Sequence, residues 1–351
     1  MMKTKYYSYK IGELPEGCKL CVQGRKLVLF VTGLCSRNCF YCPISDKKKN
    51  KDVTYANEWP IKNTNDLIKE AELTGARGAG FTGGDPLIKL DRTLSYIKLL
   101  KKRFGKKFHI HLYTSLDLAD EKALKKLYDA SLDEIRFHPD IYNNKSWYRI
   151  MLARKFDWDV GVEIPAIPGT EKETKQLIDF IKGKVDFFNI NELEFSDASA
   201  NQLARFGFVC KDNLSYGIKG SDKLAKKLLK YCKGKIKNVH YCTAKLKDKV
   251  QLSNRIKIRA KNVKKPYDIV TSEGTIYHGV VFTRDFNKVS KFLTKYSVPK
   301  SFFEYDKDKR CVLVAPWVLL MLKDDMKKHW KVALVEEYPT YDRLKVLVDE
   351  L

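Results

Sequence analysis

The chain has 351 residues, 44% of them hydrophobic and 31% charged, enough apolar content to bury a substantial core and too much for a disordered protein. Its formal net charge is +24, and no apolar run reaches the length of a membrane-spanning helix. The opening residues, Met1-Met2-Lys3-Thr4-Lys5-Tyr6-Tyr7, lack the apolar core of a secretory signal, which predicts a cytoplasmic protein. In that compartment its nine cysteines are expected as metal ligands or buried thiols rather than disulfides.

Residues 1–25 form an N-terminal extension carrying Cys18-Lys19-Leu20-Cys21. Alternating strands and helices follow over residues 26–222. Strands are predicted at 26–32, 78–82, 108–113, 134–138, 160–164 and 187–192. In the helix predicted over 91–104, Leu94, Ile97, Leu100 and Phe104 share one face by their three-to-four spacing. Thr170 and Glu173 read as a capping box opening a helix over 171–181. Such alternation implies a parallel sheet with right-handed crossovers. From Lys223 to Lys265 there are sixteen Lys or Arg and a single acid, Asp248, the footprint of a phosphate-binding surface. Residues 266–351 change pattern to an α+β appendage. It is read as a hairpin (267–271 with 275–282), helices at 283–296 and 316–323, a strand at 331–336 and a last helix at 340–350.

The most informative segment is Leu34-Cys35-Ser36-Arg37-Asn38-Cys39-Phe40-Tyr41-Cys42-Pro43, a C-x3-C-x2-C loop just after the first strand. Three thiolates within eight residues suit three irons of a cubane 4Fe–4S cluster and leave the fourth iron open to another ligand. A zinc knuckle, the competing reading, takes four closed ligands. About forty residues on, Gly80-Phe81-Thr82-Gly83-Gly84-Asp85-Pro86-Leu87 ends the second strand, and its paired glycines let backbone approach a ligand closely.

Together these two segments resemble the cluster loop and the Gly-Gly-Glu motif of the radical SAM superfamily, here in a Gly-Gly-Asp-Pro variant. Over residues 15–260 the pattern resembles archaeal proteins related to pyruvate formate-lyase activating enzyme. The resemblance implies an α/β fold, a partial (β/α)6 barrel, with the smaller α+β domain outside it. It implies a 4Fe–4S cluster on Cys35, Cys39 and Cys42, and S-adenosyl-L-methionine chelated to the open iron. Tyr41, Gly83, Gly84 and Asp85 are then expected beside the cosubstrate, the glycines accepting from its ammonium through their carbonyls and Asp85 through its carboxylate. Chemistry in such barrels sits at the carboxyl ends of the strands, where both motifs fall. An electron donor would reduce the cluster, and cleavage of the cosubstrate would give methionine and a 5′-deoxyadenosyl radical that abstracts hydrogen from a substrate.

Polar residues on the strands need partners inside a barrel covered on both faces. His109 and His111 share one face of their strand, and Arg136 and His138 share one of theirs. Arg136 is expected at the cosubstrate carboxylate and Glu163 at its ribose or at the substrate; a buried ion pair is the alternative for either. Cys18, Cys21 and Cys242 are expected at a second metal site, closed as zinc by His240 or as an iron–sulfur cluster by Cys232. Cys210 and Cys311 lack ligand spacing and are expected as buried thiols.

Three functions compete. The basic segment favours an enzyme modifying RNA, with transfer RNA the leading substrate and Lys245, Lys247 and Arg255 on its phosphates. The alternatives are a radical enzyme acting on a protein glycine, a peptide or a small cofactor precursor, and a non-enzymatic metal-containing nucleic-acid-binding protein. The Gly-Gly-Asp motif argues against the last.

Overall fold

A computed structural model describes residues 1–213 and 215–351. Two compact units emerge, one of Met1–Glu72 with Ala76–Leu252 and one of Ser253–Leu351 with Leu73–Gly75. In chain order the first holds β1 (Met2–Lys3), β2 (Tyr9–Ile11), α1 (Glu16–Val22), β3 (Lys26–Thr32), β4 (Tyr55–Ala56), β5 (Trp59–Pro60), α2 (Thr64–Leu73), β6 (Gly78–Gly83), α3 (Leu90–Phe104), β7 (His109–Thr114), α4 (Glu121–Asp129), β8 (Glu134–Phe137), α5 (Arg149–Ala153), β9 (Asp159–Ala166), α6 (Glu171–Ile181) and β10 (Phe187–Glu192). It continues through α7 (Ala200–Arg205), β11 (Cys210–Asp212), β12 (Ser215–Ile218), α8 (Ser221–Tyr231), β13 (Asn238–Cys242) and the short α9 (Ala244–Leu246).

The main sheet runs β1-β2-β13-β10-β9-β8-β7-β6-β3-β4-β5. Its seven central strands are parallel and strictly sequential, an open barrel wall with helices outside. Six of them are the strands expected from sequence, and β13 is a seventh. The apolar residues of these strands face the helices: Leu27, Leu29, Ile110, Leu112, Ile135 and Ile190 are fully buried in one continuous core. In α3, Thr93, Ile97 and Leu100 pack inward at three-to-four spacing, while Lys101, Lys102 and Arg103 crowd the last turn, where cations favour the helix dipole.

The inner face of the wall is polar. Neighbour register aligns Gly80, His111 and Glu134 across β6–β8, then Tyr113, Arg136 and Gly161 across β7–β9, and Glu163, Asn189 and His240 across β9, β10 and β13. Gly80 is required here because a Cβ would stand 2.5 Å from His111 Nε2.

The second unit contains α10 (Ser253–Val263), β14 (Ile269–Val270), β15 (Ile276–Phe282), α11 (Phe286–Lys295), β16 (Phe303–Asp306), β17 (Cys311–Val314), α12 (Pro316–Met326), β18 (Lys331–Glu337) and β19 (Lys345–Glu350). They form an antiparallel sheet ordered β16-β17-β15-β18-β19, with β14 paired to β15. Its own core includes Val281, Val289, Leu293, Val312, Leu319 and Met326.

Three local expectations are corrected. Residues 340–350 are not a helix: Lys345–Glu350 is an edge strand paired to β18. Thr170 stands at the N-terminus of α6 but makes no side-chain cap; its hydroxyl donates to the Ile167 carbonyl instead. Cys210 is exposed, while Cys311 is buried as expected. No helix among the described residues is long and apolar enough to cross a membrane.

Candidate active site at the barrel mouth

The cysteine loop leaves the carboxyl end of β3 and is fastened across the mouth. Gly84 N donates to Thr32 O and Asp85 N to Leu34 O, each at 2.8 Å. Gly33 exchanges backbone hydrogen bonds with the 50–51 segment. Farther along, Ser36 Oγ donates to Asp117 beyond β7 at 2.8 Å. Arg37 Nη1 donates to the His138 carbonyl beyond β8 at 2.6 Å. The loop is therefore tied to the ends of β6, β7 and β8. Cys35, Cys39 and Cys42 are free and partly exposed. Three thiols on a pinned loop, without a fourth adjoining cysteine in the segment, suit a cluster with one open iron.

The glycine motif acts on this loop directly. A Cβ at Gly84 would lie 2.1 Å from the Leu34 carbonyl oxygen, so the glycine is needed for the cysteine loop to approach. Gly83 has φ +141°, and a Cβ there would lie 2.3 Å from the Thr32 carbonyl oxygen. Asp85 departs from its expected role. Its carboxylate is fully buried and accepts from Leu87 N (3.0 Å), Thr114 Oγ1 (2.8 Å), Ser115 N (3.0 Å) and Ser115 Oγ (2.7 Å). Burial raises its pKa, although those four donors pull the other way. Asp85 thus locks the end of β6 to the end of β7, and any cosubstrate contact in this motif falls to backbone.

Tyr41 and His138 form the opposite side of the mouth. His138 Nδ1 lies 2.9 Å from the Glu163 carbonyl, which can only accept, so Nδ1 carries the proton and Nε2 accepts from Tyr41 OH at 2.9 Å. Burial pushes His138 down to about 4, so this neutral tautomer holds at physiological pH. The hydroxyl of Tyr41 is spent in fixing the ring. Phe40 packs on Phe206 and Phe208 from the 194–218 connection.

Below the mouth, Arg136 is 2% exposed, and its donors are engaged by the protein. Nη1 binds Glu163 Oε2 and Tyr113 OH, both at 2.9 Å, Nε binds Glu134, and Nη2 reaches Cys18 Sγ at 3.5 Å. The ion-pair alternative, not the carboxylate contact, describes Arg136. Glu163 also accepts from Asn189 (2.8 Å) and Asn191 (2.9 Å). Burial raises its pKa, but the Arg136 charge and those amides outweigh it and hold the carboxyl below its ordinary range.

The thiols expected at a second metal site share one neighbourhood: Cys18 and Cys21 both act electrostatically on Cys242, and Cys21 on Cys18. Among the described residues, three His, Cys, Asp or Glu ligand atoms lie within 4.8 Å of one another only at His109, His111 and Glu134; neither these thiols nor those of Cys35, Cys39 and Cys42 are drawn that close. Cys18 accepts from Arg136 and Asn189, Cys242 packs with Val22 and Leu246, and Cys232 lies in the main core. His240 is buried with both ring nitrogens unpartnered, and Cys21 is only partly buried.

The basic segment is also not one surface element. Residues 223–252 belong to the barrel unit and 253–265 to the other. Lys226, Lys227 and Lys235 pair with Asp222, Glu171 and Asp179. Lys247 pairs with Glu194, Lys245 sits 4.3 Å from the Tyr7 ring centroid, and Arg255 on α10 is likewise partnered. The expected phosphate contacts are cations already engaged within the protein.

A protein of Methanocaldococcus jannaschii is 41% identical over 97% of this chain and 94% of its own length, and is named, provisionally, as a glycyl-radical enzyme activating enzyme. The radical SAM superfamily pattern matches residues 29–167. The chain belongs to the radical SAM superfamily. It is an enzyme of that family and uses its 4Fe–4S cluster and S-adenosylmethionine. Residues 274–350 match a domain of unknown function. Similar solved structures include SuiB of Streptococcus suis bound to S-adenosylmethionine (TM-score 0.43, 12% identity, 64% of this chain and 53% of that one). Methylornithine synthase is another (TM-score 0.39, 16% identity, 62% and 70%). This chain spans about half the length of SuiB.

Two outcomes follow from the mouth geometry. Asp85→Glu, which restores the superfamily's usual residue, adds a methylene to a fully buried pocket and should destabilise by about 1–3 kcal/mol in urea unfolding. Asp85→Ala, which orphans four donors, should cost about 3 kcal/mol or more. Wild-type stability in D85E would contradict the lock.

The buried histidines give the second outcome. His138 and His240 are both held by burial at about 4, below the unfolded value near 6.5. Between those values the unfolded chain binds more protons. Stability should therefore fall as pH drops from about 6.5 to 4, by up to about 1.4 kcal/mol per pH unit for each ring. Urea midpoints across that range measure it, and His240→Gln should make the slope shallower.

Proposed function

We propose that the partner of this radical SAM enzyme is a protein, and that the reaction removes hydrogen from the Cα of one of its glycines. The observation that carries this reading is 41% identity along nearly the whole length of a relative named as a glycyl-radical enzyme activating enzyme. The mouth supports it. Phe206 (60% exposed), Val209 and Tyr216 lie exposed in the connection that packs on Phe40 of the cysteine loop. They offer apolar surface for a peptide segment beside the site where the radical forms.

Cys35, Cys39 and Cys42 would hold the cluster, and the carbonyls of the Gly83–Gly84 turn would receive the cosubstrate's ammonium. A cluster held there and reduced by an external electron donor would supply the one electron that splits a carbon–sulfur bond of the cosubstrate's sulfonium, leaving methionine and a 5′-deoxyadenosyl group able to take a hydrogen atom from glycine. The protein's share is position and exclusion of water. Tyr41 presents a ring fixed by neutral His138. Glu163, held ionised by Arg136, Asn189 and Asn191, supplies a carboxylate below the mouth. Arg136, charge-balanced by Glu134 and Glu163, stays put during turnover.

The RNA reading rested on a basic segment whose chosen cations are engaged internally. One isotope experiment separates the two. The anaerobically reconstituted enzyme is reduced with S-adenosylmethionine and given a glycyl-radical protein from the same cells, grown on Cα-deuterated glycine. Deuterium should appear in 5′-deoxyadenosine, with a matching glycyl signal by paramagnetic resonance. If cosubstrate cleavage responds to transfer RNA and to no protein, and no deuterium is transferred, the protein-substrate reading is wrong.

A further inference from the structure

At the amino ends of the barrel strands, opposite the cysteine loop, lies a donor group the mouth does not use. His109 and His111 are two apart on β7, so both rings point inward. Glu134 opens β8 in register with His111. His109 Nε2 lies 3.4 Å from Glu134 Oε2, and His111 Nδ1 lies 3.8 Å from Glu134 Oε1. All three ligand atoms fall within 4.8 Å of one another. His111 is 2% exposed and Glu134 0%. Both of these imidazole nitrogens are buried with no hydrogen-bond partner. An unpaired buried polar atom is costly, and here two face one carboxylate.

We propose that His109, His111 and Glu134 bind one divalent transition-metal ion of the zinc or ferrous kind at the barrel floor, separate from the cluster. A cation at this point satisfies both orphaned nitrogens at once. Two imidazoles and a carboxylate are borderline donors that suit such ions better than magnesium or calcium. Bonds of about 2.0–2.2 Å at tetrahedral angles place ligand atoms about 3.4 Å apart, against 3.4 and 3.8 Å from the imidazoles to the carboxylate and at most 4.8 Å within the set.

The surroundings hold the donors in place. Arg136 Nε donates to Glu134 Oε1, Gly17 N donates to Oε2 at 3.3 Å, and Lys26 Nζ sits 3.0 Å from His109 Nδ1. Such outer contacts orient ligands. While Lys26 donates to Nδ1, the ring proton is on Nε2, so loading the ion displaces one proton. Space in front of His111 depends on α1, where a Cβ at Gly17 would stand 2.3 Å from His111 Nδ1. Bound there, the ion would tie the first residues of β7 and β8 together beneath the chemistry.

The test uses the full chain with Cys35, Cys39 and Cys42 replaced by Ser, which removes the competing cluster loop. It is stripped of metal, equilibrated with Co2+ and desalted. One cobalt per chain should remain, with ligand-field bands of nitrogen and oxygen coordination and no thiolate charge-transfer band. Zn2+ should displace it and raise the thermal midpoint. His109→Gln combined with His111→Gln should lose the ion. So should Gly17→Ala, which keeps every donor but fills the space and covers the case in which the double variant does not fold. Any of three results overturns the assignment: no cobalt on a folded chain, a thiolate band placing it on Cys18, Cys21 or Cys242, or an unchanged spectrum in the folded double variant.

Discussion

The close packing of the Gly83-Gly84-Asp85 turn against the start of the cysteine loop is the constraint on which the mouth depends. Two backbone hydrogen bonds of 2.8 Å join them, and the carbonyl of Leu34 occupies the place a side chain at residue 84 would need. The turn is immobilised in its turn by the buried carboxylate of Asp85, which gathers four donors from Leu87, from Thr114 at the end of β7 and from Ser115 just after it. Residue types therefore follow from geometry. Glycine lets two backbones touch, and a short acid reaches Thr114 and Ser115 without displacing them. The three thiols inherit their positions from this contact and from the anchors of Ser36 and Arg37.

Beneath the mouth the barrel is filled with charge rather than hydrocarbon. Arg136, Glu134 and Glu163 form a buried ionic group in which each charge has a partner. Removing one member of such a group commonly costs about 3–5 kcal/mol, because the remaining charge is left without compensation. Asn189, Asn191 and Tyr113 complete the coordination of Glu163, so its carboxylate is rigid. A rigid, water-poor interior suits radical chemistry, where a wandering side chain could donate hydrogen to the wrong acceptor. The same polarity leaves two unpartnered imidazole nitrogens at the floor.

The sequence made the scaffold legible where signals were local. Six parallel strands show as short segments between helical patterns, several of them alternating apolar and polar residues because the helix-facing side is hydrocarbon and the inner side polar. β13 was hidden: Asn238 and His240 alternate with apolar residues inside a lysine-rich stretch. At the C-terminus, Leu344, Leu347 and Val348 mimic helical spacing, yet Val346 and Val348 are β-branched and the segment pairs along β18. The cysteine loop and the glycine pair stood out because their spacing is contiguous. The partners of Asp85 and Arg136 did not, since contacts between strands thirty residues apart leave no periodicity. His109 and His111 were visibly on one face, but Glu134 joins them only through the register of β7 against β8. The basic segment was legible as a charge count alone, which carries no information about the acids that pair Lys226, Lys227, Lys235 and Lys247 in the fold.

The central claim is that the loop packed on Gly84 carries a cluster with one iron left for the cosubstrate. Anomalous diffraction at the iron edge from anaerobic crystals grown with S-adenosylmethionine tests it most directly. The account predicts one cubane bonded to Sγ of Cys35, Cys39 and Cys42, its fourth iron lacking a protein ligand and facing the Gly83–Gly84 turn. A fourth protein ligand on that cubane, or a cluster seated on Cys18, Cys21 and Cys242 instead, would contradict it.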